Sequence, residues 1–496
     1  MNRSHQAIKA TTWNYLSRLS DVGFLFLINA LIARTLGPAQ DSIYTLFLTI
    51  VGTTVTFTSV GIDWIIYKYF PQLKAQNKSN EAAALLRRTF IIRFSIACVG
   101  AITIYFLIVS SGAGVLASYA VLIPFGGCAA LYIVGQNIAN YGTVALTAGL
   151  RTKEALFING SVKFFLITAL GICVFQSYLT PSIAIISVTA AAVLTGVLHT
   201  GSLLPRIRGP RAAIVYSPII MFGVFLLGND ILSFLLGRAS DILILRYWFP
   251  GSPIISIYDK AFQAGLVVEY FVTIGLSGVL FSVFAELATR ARSELGEAFQ
   301  RTLAMIQFAF IPVAIFVVYY APVLVVSLYG SQYAPAADLL RAFLLMDIID
   351  MGVFGGGLNI TLLNVINAER IVLINRCIWG AINLGVNLYA IPHYGVFAAI
   401  ITTRACNLCA GGVEHFIARR AIGAGYQFRW LGIAAGAALA GIAGIFFLPG
   451  ESLSNCAIGG LVFLLICGCV YYFLKPAPMM WAYQIIRQKY AHEASQ

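Results

Sequence analysis

Phe90-Ile-Ile-Arg-Phe-Ser-Ile-Ala-Cys-Val-Gly-Ala-Ile-Thr-Ile-Tyr-Phe-Leu-Ile-Val109 is an apolar run interrupted by one charge, Arg93, and preceded by the basic pair Arg87-Arg88. Crossing roughly 30 Å of hydrocarbon as a helix takes about 20 such residues, so this stretch can span a bilayer unaided. Comparable runs recur along the whole 496-residue chain, at 10–36, 42–65, 90–110, 115–140, 155–176, 181–204 and 217–249, then at 254–283, 302–328, 336–364, 371–391, 395–417, 430–448 and 454–474. Composition points the same way. With 59% hydrophobic and 10% charged residues, the chain has more apolar surface than a soluble interior could bury. The reading is an all-α polytopic membrane protein of about fourteen transmembrane helices.

Connections between the runs are short except after the second (Lys68 to Arg93) and the eighth (Glu286 to Arg301), leaving no room for a soluble domain. Lys and Arg accumulate on the cytoplasmic side of short loops. With both termini cytoplasmic, Arg3/Lys9, Lys68 to Arg93, Arg151/Lys153, Arg206/Arg208/Arg211, Arg290/Arg292/Arg301, Arg370/Arg376, Arg419/Arg420/Arg429 and Lys475/Arg487/Lys489 all fall on that side. The opposite loops, near Ser110, Thr180, His393 and Glu451, carry almost none. The formal net charge of +13 therefore reports orientation and gives no support for nucleic-acid binding. Within the first of these segments, Asn80 to Arg88 reads as an amphipathic basic helix lying on the inner leaflet.

The chain resembles itself at an offset of about 212 residues. Arg34 through Gly37-Pro38 to Ile43-Tyr44 is echoed by Arg246 through Pro250-Gly251 to Ile257-Tyr258, and Tyr178-Leu-Thr-Pro181 by Tyr389-Ala-Ile-Pro392. Six helices return the chain to its starting side, so the halves are parallel repeats about an axis along the membrane normal, an arrangement that usually encloses a central cavity. The expected organisation is an N-terminal six-helix bundle (1–210), a C-terminal six-helix bundle (211–425), and two additional transmembrane helices with a cytoplasmic tail (426–496).

An ionisable group in hydrocarbon costs at least about 2.5 kcal/mol, which makes each one a functional candidate. Arg18 with Asp21, Arg238 with Asp241, and Asp338 with Arg341 are spaced to pair on one helix face. Lys163 and Arg404 have no acid within reach on their own helices. Each needs either a substrate phosphate or an acid from a neighbouring helix, such as Asp63, Asp230, Asp347 or Asp350. Glu269, mid-helix in the eighth run, suits either a proton-coupling group or a carboxylate hydrogen-bonded to neighbouring Tyr or Thr. Asp259-Lys260 reads as interfacial, at the outer start of that run. Most of the nine cysteines lie inside predicted helices, and Cys406/Cys409 has CxxC spacing without a nearby His, so packing is the expected role. Arg18 and Asp21 interrupt any cleavable signal. No GxxxxGK[ST] run occurs, so ATP hydrolysis, a cofactor and a resident metal are not expected.

The run Ala33-Arg-Thr-Leu-Gly-Pro-Ala-Gln-Asp-Ser-Ile-Tyr44, the segment Lys68-Tyr-Phe-Pro-Gln-Leu73 followed by Leu85-Leu-Arg-Arg88, the run Tyr329-Gly-Ser-Gln-Tyr-Ala-Pro-Ala-Ala-Asp-Leu-Leu-Arg341, and Ser240-Asp241-Ile-Leu-Ile-Leu245 resemble the polysaccharide (O-antigen and exopolysaccharide) flippases. These belong to the multidrug/oligosaccharidyl-lipid/polysaccharide exporter superfamily. The resemblance implies two six-helix bundles around a central cavity that opens alternately to either side, in the cytoplasmic (inner) membrane. The implied cargo is a polyprenyl-diphosphate-linked oligosaccharide for cell-surface polysaccharide synthesis, with other polysaccharide-assembly proteins as partners and no enzymatic activity. A sugar-diphosphate head cannot cross hydrocarbon, whereas a polar cavity can hydrogen-bond the sugar and set Arg or Lys against phosphate. On this reading Arg18, Lys163, Arg238 and Arg404 contact the anionic substrate, and Asp241 and Glu269 couple the ion or hold structure. Two other readings use the same sequence. A drug or small-cation antiporter of the superfamily would draw on Asp230, Asp241 and Glu269, and a membrane glycosyl-polymerase would need a large external catalytic loop, which the run spacing does not provide.

Overall fold

The computed structural model describes residues 3–149, 151–207, 227–228, 231–273, 284, 287–288, 292–425, 428–446, 452–478 and 480. Outside them lie Asp230, Arg208, Arg211, Glu286, Arg290, Glu451, Arg487 and Lys489, together with the side chains of Arg3, Lys9, Arg18 and Arg206. Among the described residues there are fourteen α-helices and no strand. Nine helical stretches among the described residues are long and apolar enough to cross a membrane. Their outward faces stay apolar and open, as at Phe106, Phe165 and Leu464, each more than 60% exposed. Faces of that kind need hydrocarbon as solvent. The chain is an all-α polytopic membrane protein.

By internal contacts the chain divides into two compact units, one of residues 1–259 with Asn387–Val396, the other of 260–386 with 397–496. The first holds α1 (Arg3–Ser59), α2 (Ile62–Ala75), α3 (Ser79–Val109), α4 (Gly126–Ala148), α5 (Thr152–Phe175), α6 (Pro181–Ile207), α7 (Arg238–Trp248) and the opening turns of α8 (Ile254–Thr273). The expected run 10–36 lies in the first arm of α1, which bends at Gly37 (φ 69°, ψ 169°), a conformation glycine supplies at little cost just before Pro38, and the run 42–65 covers the second arm to Ser59 and, past a break at Val60-Gly61, the first turn of α2. The segment expected to lie flat on the leaflet is instead continuous with the following span. Ser79 to Val109 is one helix, because Glu81-Ala-Ala-Ala-Leu-Leu has neither Gly nor Pro to stop it. Ala82, Leu85 and Leu86 pack with Ile62, Ile66 and Phe70 of α2, Tyr141 and Val144 of α4, and Leu203 of α6. α4 and α6 meet almost backbone to backbone: a Cβ on Gly135 would lie 2.8 Å from the Val193 main chain, and one on Gly196 2.7 Å from the Gly135 carbonyl. Small residues allow such an approach between spanning helices.

The second unit continues α8 from Lys260 and adds α9 (Arg292–Tyr329), α10 (Ala336–Ile349), α11 (Gly357–Val365), most of α12 (Glu369–Ile422), α13 (Phe428–Ile445) and α14 (Leu453–Leu474). The expected run 336–364 is broken. A π-turn over Asp350–Phe354 and left-handed Gly355 (φ 79°) and Gly356 (φ 49°) separate α10 from α11. Conversely, the runs 371–391 and 395–417 are joined in α12, which bends at Gly395 (φ 67°). The last two helices are no loose appendage. Ala434, Ala437 and Ala438 of α13 and Cys456, Phe463 and Cys467 of α14 share one buried core with Phe308, Ile311 and Tyr320 of α9.

Candidate functional site

Each unit buries its own polar cluster. In the first, the second arm of α1 presents Asp41 and Thr45 on one face, and α7 begins with Arg238 and carries Asp241 a turn later. The start of α8 supplies Ser256, Tyr258 and Asp259. Asp241, fully buried, accepts hydrogen bonds from the Tyr258 hydroxyl at 2.5 Å and from Asn387 Nδ2 at 2.9 Å. Asp259, also buried, is ion-paired with Arg238 and lies 3.4 Å from the Thr45 hydroxyl, while Ser256 donates to buried Asp41. α7 is anchored beside this cluster, where Arg246 Nε donates to the Ser118 carbonyl at 2.6 Å and the Tyr119 hydroxyl to the Leu243 carbonyl at 2.9 Å. Three carboxylates are thus gathered inside one apolar unit. Groups of that kind persist in such surroundings only when hydrogen-bonded or paired.

Two further ion pairs belong to the same unit. Arg93, almost completely buried, is paired with Asp63, and its Nε donates to Asn137 Oδ1 at 3.2 Å. Asn137 in turn donates to the Thr58 hydroxyl at 2.9 Å, so the guanidinium is braced by α1, α2 and α4. Lys163 of α5 is paired with Asp21 of the first α1 arm, and about a third of each side chain is exposed (30% and 33%). His199, wholly buried, is held through Nε2 by Asn159 Oδ1 at 2.9 Å and Thr143 Oγ1 at 3.3 Å.

In the second unit, Arg404 of α12 reaches Asp347 of α10 at 2.7 Å, with 13% and 3% of the side chains exposed. The guanidinium lies over Phe343 (4.9 Å to the ring centre) and Phe262 (5.4 Å), which shield it from solvent and add cation–π attraction. Glu269 and Asp350 act electrostatically on the same Asp347 carboxylate, whose second oxygen has no hydrogen-bond partner among the described residues. A bidentate pair lies nearby in sequence: Arg376 Nε and Nη2 donate to the two oxygens of buried Glu414 at 2.8 and 3.2 Å. The break between α10 and α11 is held by side chains. Asn359 donates to the Phe354 carbonyl at 2.5 Å, and Gln307 donates to that of Gly352 at 2.6 Å. Discontinuous helices of this kind form the binding sites of many transporters.

The residues singled out in the sequence fall as follows. Lys163 and Arg404 take the acid-from-a-neighbouring-helix option, Lys163 with Asp21 and Arg404 with Asp347. Asp338 and Arg341 pair along their helix at 2.9 Å, as their spacing suggests. Arg238 has its ion pair on α8, and Asp241 is held by Tyr258 and Asn387. Glu269 faces the Arg404 charge. The Arg18 side chain is outside the described residues. Asp259-Lys260, expected at the membrane interface, is buried within the protein, both residues being at most 1% exposed. Arg93, grouped in the sequence with the cytoplasmic bases, is buried too. Its place inside the quoted apolar run was the available signal. Asp41, Glu414 and His199 carry no reading from the sequence, although Asp41 stands within the quoted Ala33–Tyr44 run and Glu414 beside His415. All nine cysteines are free thiols.

Residues 31–338 match the profile of a family described as polysaccharide biosynthesis protein. Over 426 residues the chain is 19% identical to an uncharacterized membrane protein of Methanocaldococcus jannaschii, covering 81% of this chain and 82% of that one. Among solved structures it is similar to the lipid II flippase MurJ in an inward closed conformation (TM-score 0.68, 13% identity, 94% of this chain and 99% of that one). It is also similar to an inward-facing multidrug resistance MATE family transporter of the MOP superfamily (0.62, 15%, 83% and 98%). A third is a MOP superfamily transporter from Pyrococcus furiosus (0.56, 16%, 84% and 96%). At these identities the structural likeness shows a shared fold and no more.

Proposed function

The chain belongs to the polysaccharide biosynthesis protein family, and from that premise we propose that it is a flippase carrying a polyprenyl-diphosphate-linked oligosaccharide across the cytoplasmic membrane by alternating access, for cell-surface polysaccharide synthesis. The family match supports the cargo class, and one observation supports the mechanism. Lys163 and Asp21 form an ion pair between two spanning helices with about a third of each side chain exposed. An exposed charged pair at such a place supports a water-lined path, because either charge against lipid would be far more costly. Lys163 can then exchange the Asp21 carboxylate for a substrate phosphate, which offers the same charge-assisted hydrogen bonds. Arg238, paired with Asp259, and Arg404, paired with Asp347, are proposed for the same exchange, Arg18 as a further phosphate contact, and Asp241 and Glu269 as coupling carboxylates. Both termini are placed in the cytoplasm, and other polysaccharide-assembly proteins are the proposed partners.

The deciding measurement is translocation of a defined polyprenyl-diphosphate sugar in sealed vesicles, comparing the unaltered chain with Lys163→Ala and Arg404→Ala. Transport by the unaltered chain that falls in both variants supports the reading. Absence of transport by a folded, correctly inserted chain would overturn it. A drug or small-cation exporter draws some support from the three buried carboxylates Asp41, Asp241 and Asp259. That reading predicts drug sensitivity on deletion with polysaccharide export intact, the opposite of the first.

A further inference from the structure

A recess opens in the second unit where the start of α9, the end of α12 and the first turn of α13 come together. It is lined by Gln300, Gln307, Val353, Arg419, Phe428 and Trp430 among others, and it measures about 360 Å³ including its open mouth. The deep wall is polar and buried: Gln307 is 4% exposed and Arg419 6%. Both are fixed. Gln307 donates to the Gly352 carbonyl, and Arg419 donates to the Ala424 carbonyl and to His415 Nε2, each at 3.3 Å. The mouth is different in kind. Phe428 is exposed, Trp430 is half-buried beneath the Arg429 guanidinium at 5.1 Å, and Arg420 is exposed one residue beyond Arg419.

Three features point to one class of ligand. The buried Arg419 guanidinium lines the recess together with two side-chain amides, Gln300, which donates to the Gly425 carbonyl at 3.1 Å, and Gln307; these are N–H donor groups of the type that suits an oxyanion. Phe428, Trp430 and Leu431 of the first turn of α13 line the recess, so the positive end of that 18-residue helix is beside it and favours negative charge there. The recess also lies where three membrane-spanning helices enter or leave their apolar stretches, with an aromatic pair at that level and Arg420 and Arg429 flanking it. Aromatic side chains collect at the headgroup level of membranes, and basic pockets between helices on the cytoplasmic side bind anionic headgroups. Of the carboxylates on the elements that line the recess, Glu297 is paired with Arg301 and Glu414 with Arg376, while Glu294 lies at the start of α9 and Asp350 in the π-turn with Val353. We propose that the recess is a site for the phosphate headgroup of an anionic phospholipid of the inner leaflet.

An occupant here would touch more than the surface. Val353 belongs to the π-turn that breaks α10 from α11, and Gln307 holds the carbonyl of the preceding residue. Arg419 reaches the same joint through His415, whose Nδ1 donates to Asn359 Oδ1 at 3.1 Å. A bound headgroup therefore braces the broken helix at both of its side-chain anchors.

The test compares thermal unfolding of the full chain in nanodiscs of phosphatidylcholine with nanodiscs of equal parts phosphatidylcholine and phosphatidylglycerol. The midpoint is expected to rise with phosphatidylglycerol in the unaltered chain, and the rise to be lost in Arg419→Gln. Because that buried residue also supports the fold, Gln300→Glu gives a second arm. It sets a negative charge at a partly exposed position of the recess, and the same loss is expected there. A rise that survives in both variants would overturn the proposal. So would an equal rise from inorganic phosphate added to the detergent-solubilised chain, since that would make the ligand a soluble anion.

Discussion

Lys163–Asp21 in the first unit and Arg404–Asp347 in the second are the same device, a cation on one spanning helix and a carboxylate on another, set in opposite surroundings. The first is open, with about a third of each side chain exposed. The second is closed, with 13% and 3% exposed and two phenylalanine rings against the guanidinium. The carboxylates also differ in number. Arg404 answers Asp347 while Glu269 and Asp350 act on the same oxygen atoms. An open pair can trade its partner for a ligand at little cost. A closed one must first uncover a charge, so its exchange has to be coupled to movement of its helices.

The largest effect expected from this contrast is on stability at Arg404. Truncating one member of a buried pair leaves the other uncompensated, at about 3–5 kcal/mol. Arg404→Ala should therefore lower the thermal midpoint of the purified chain far more than Lys163→Ala, for which an open pair of this exposure is worth about 0–1 kcal/mol. The double variant Arg404→Ala/Asp347→Asn should recover part of the loss, because it removes the stranded carboxylate along with its partner. Equal losses at Arg404 and Lys163 would erase the distinction. In transport the order reverses in informativeness: Lys163→Ala should keep its fold and lose translocation, so its defect cannot be put down to misfolding.

A second, smaller effect concerns access. In a background freed of its own nine cysteines, Cys placed at 163 should react with a water-soluble thiol reagent, and Cys at 404 much more slowly. Reaction at 404 that speeds up on adding a polyprenyl-diphosphate sugar would show the closed pair opening during the cycle. Failure to label 163 from either side of the membrane would remove the water-lined path on which the transport reading depends.

The helices were legible because hydrocarbon imposes a length and an apolar composition that survive in one sequence without alignment. The bends were half-legible. Gly37-Pro38 stood at a run boundary and does turn α1, but the Gly355-Gly-Gly357 break lay inside a stretch read as one run. Hydropathy averages over the residues on which a π-turn depends. The charges show the limit most plainly. Sequence spacing found Asp338 with Arg341, a contact within one helix, but it gave no sign that Arg238 is ion-paired with Asp259, 21 residues away. It allowed Lys163 a partner on another helix and could not say that Asp21 was that partner. Pairing across helices is decided by rotation and packing, which one-dimensional periodicity does not carry. The burial of Arg93 and Asp259 was missed for a related reason: each lies within about a turn and a half of a run boundary, where hydropathy does not tell which side chains neighbouring helices cover.

The smallest effect serves as the baseline for the other two. Asp338 and Arg341 pair at 2.9 Å on the surface of α10, three residues apart, with 67% and 38% of their side chains exposed. Pairs of this kind along one helix contribute about 0.3–0.5 kcal/mol, and salt screens them further. Asp338→Asn should therefore leave both the thermal midpoint and the transport rate within error of the unaltered chain. Arg341 also donates to the Val318 carbonyl at 3.2 Å, so the carboxylate is the member to change, since its loss leaves that bond in place. A clear drop in transport with stability unchanged would mean that exposure alone does not sort these pairs, and that a fully exposed charge on α10 takes part in the cycle. The contrast between the open and closed pairs would then need a criterion other than burial, and the same transport assay on Asp21→Asn, which changes the acid of the open pair, would supply it.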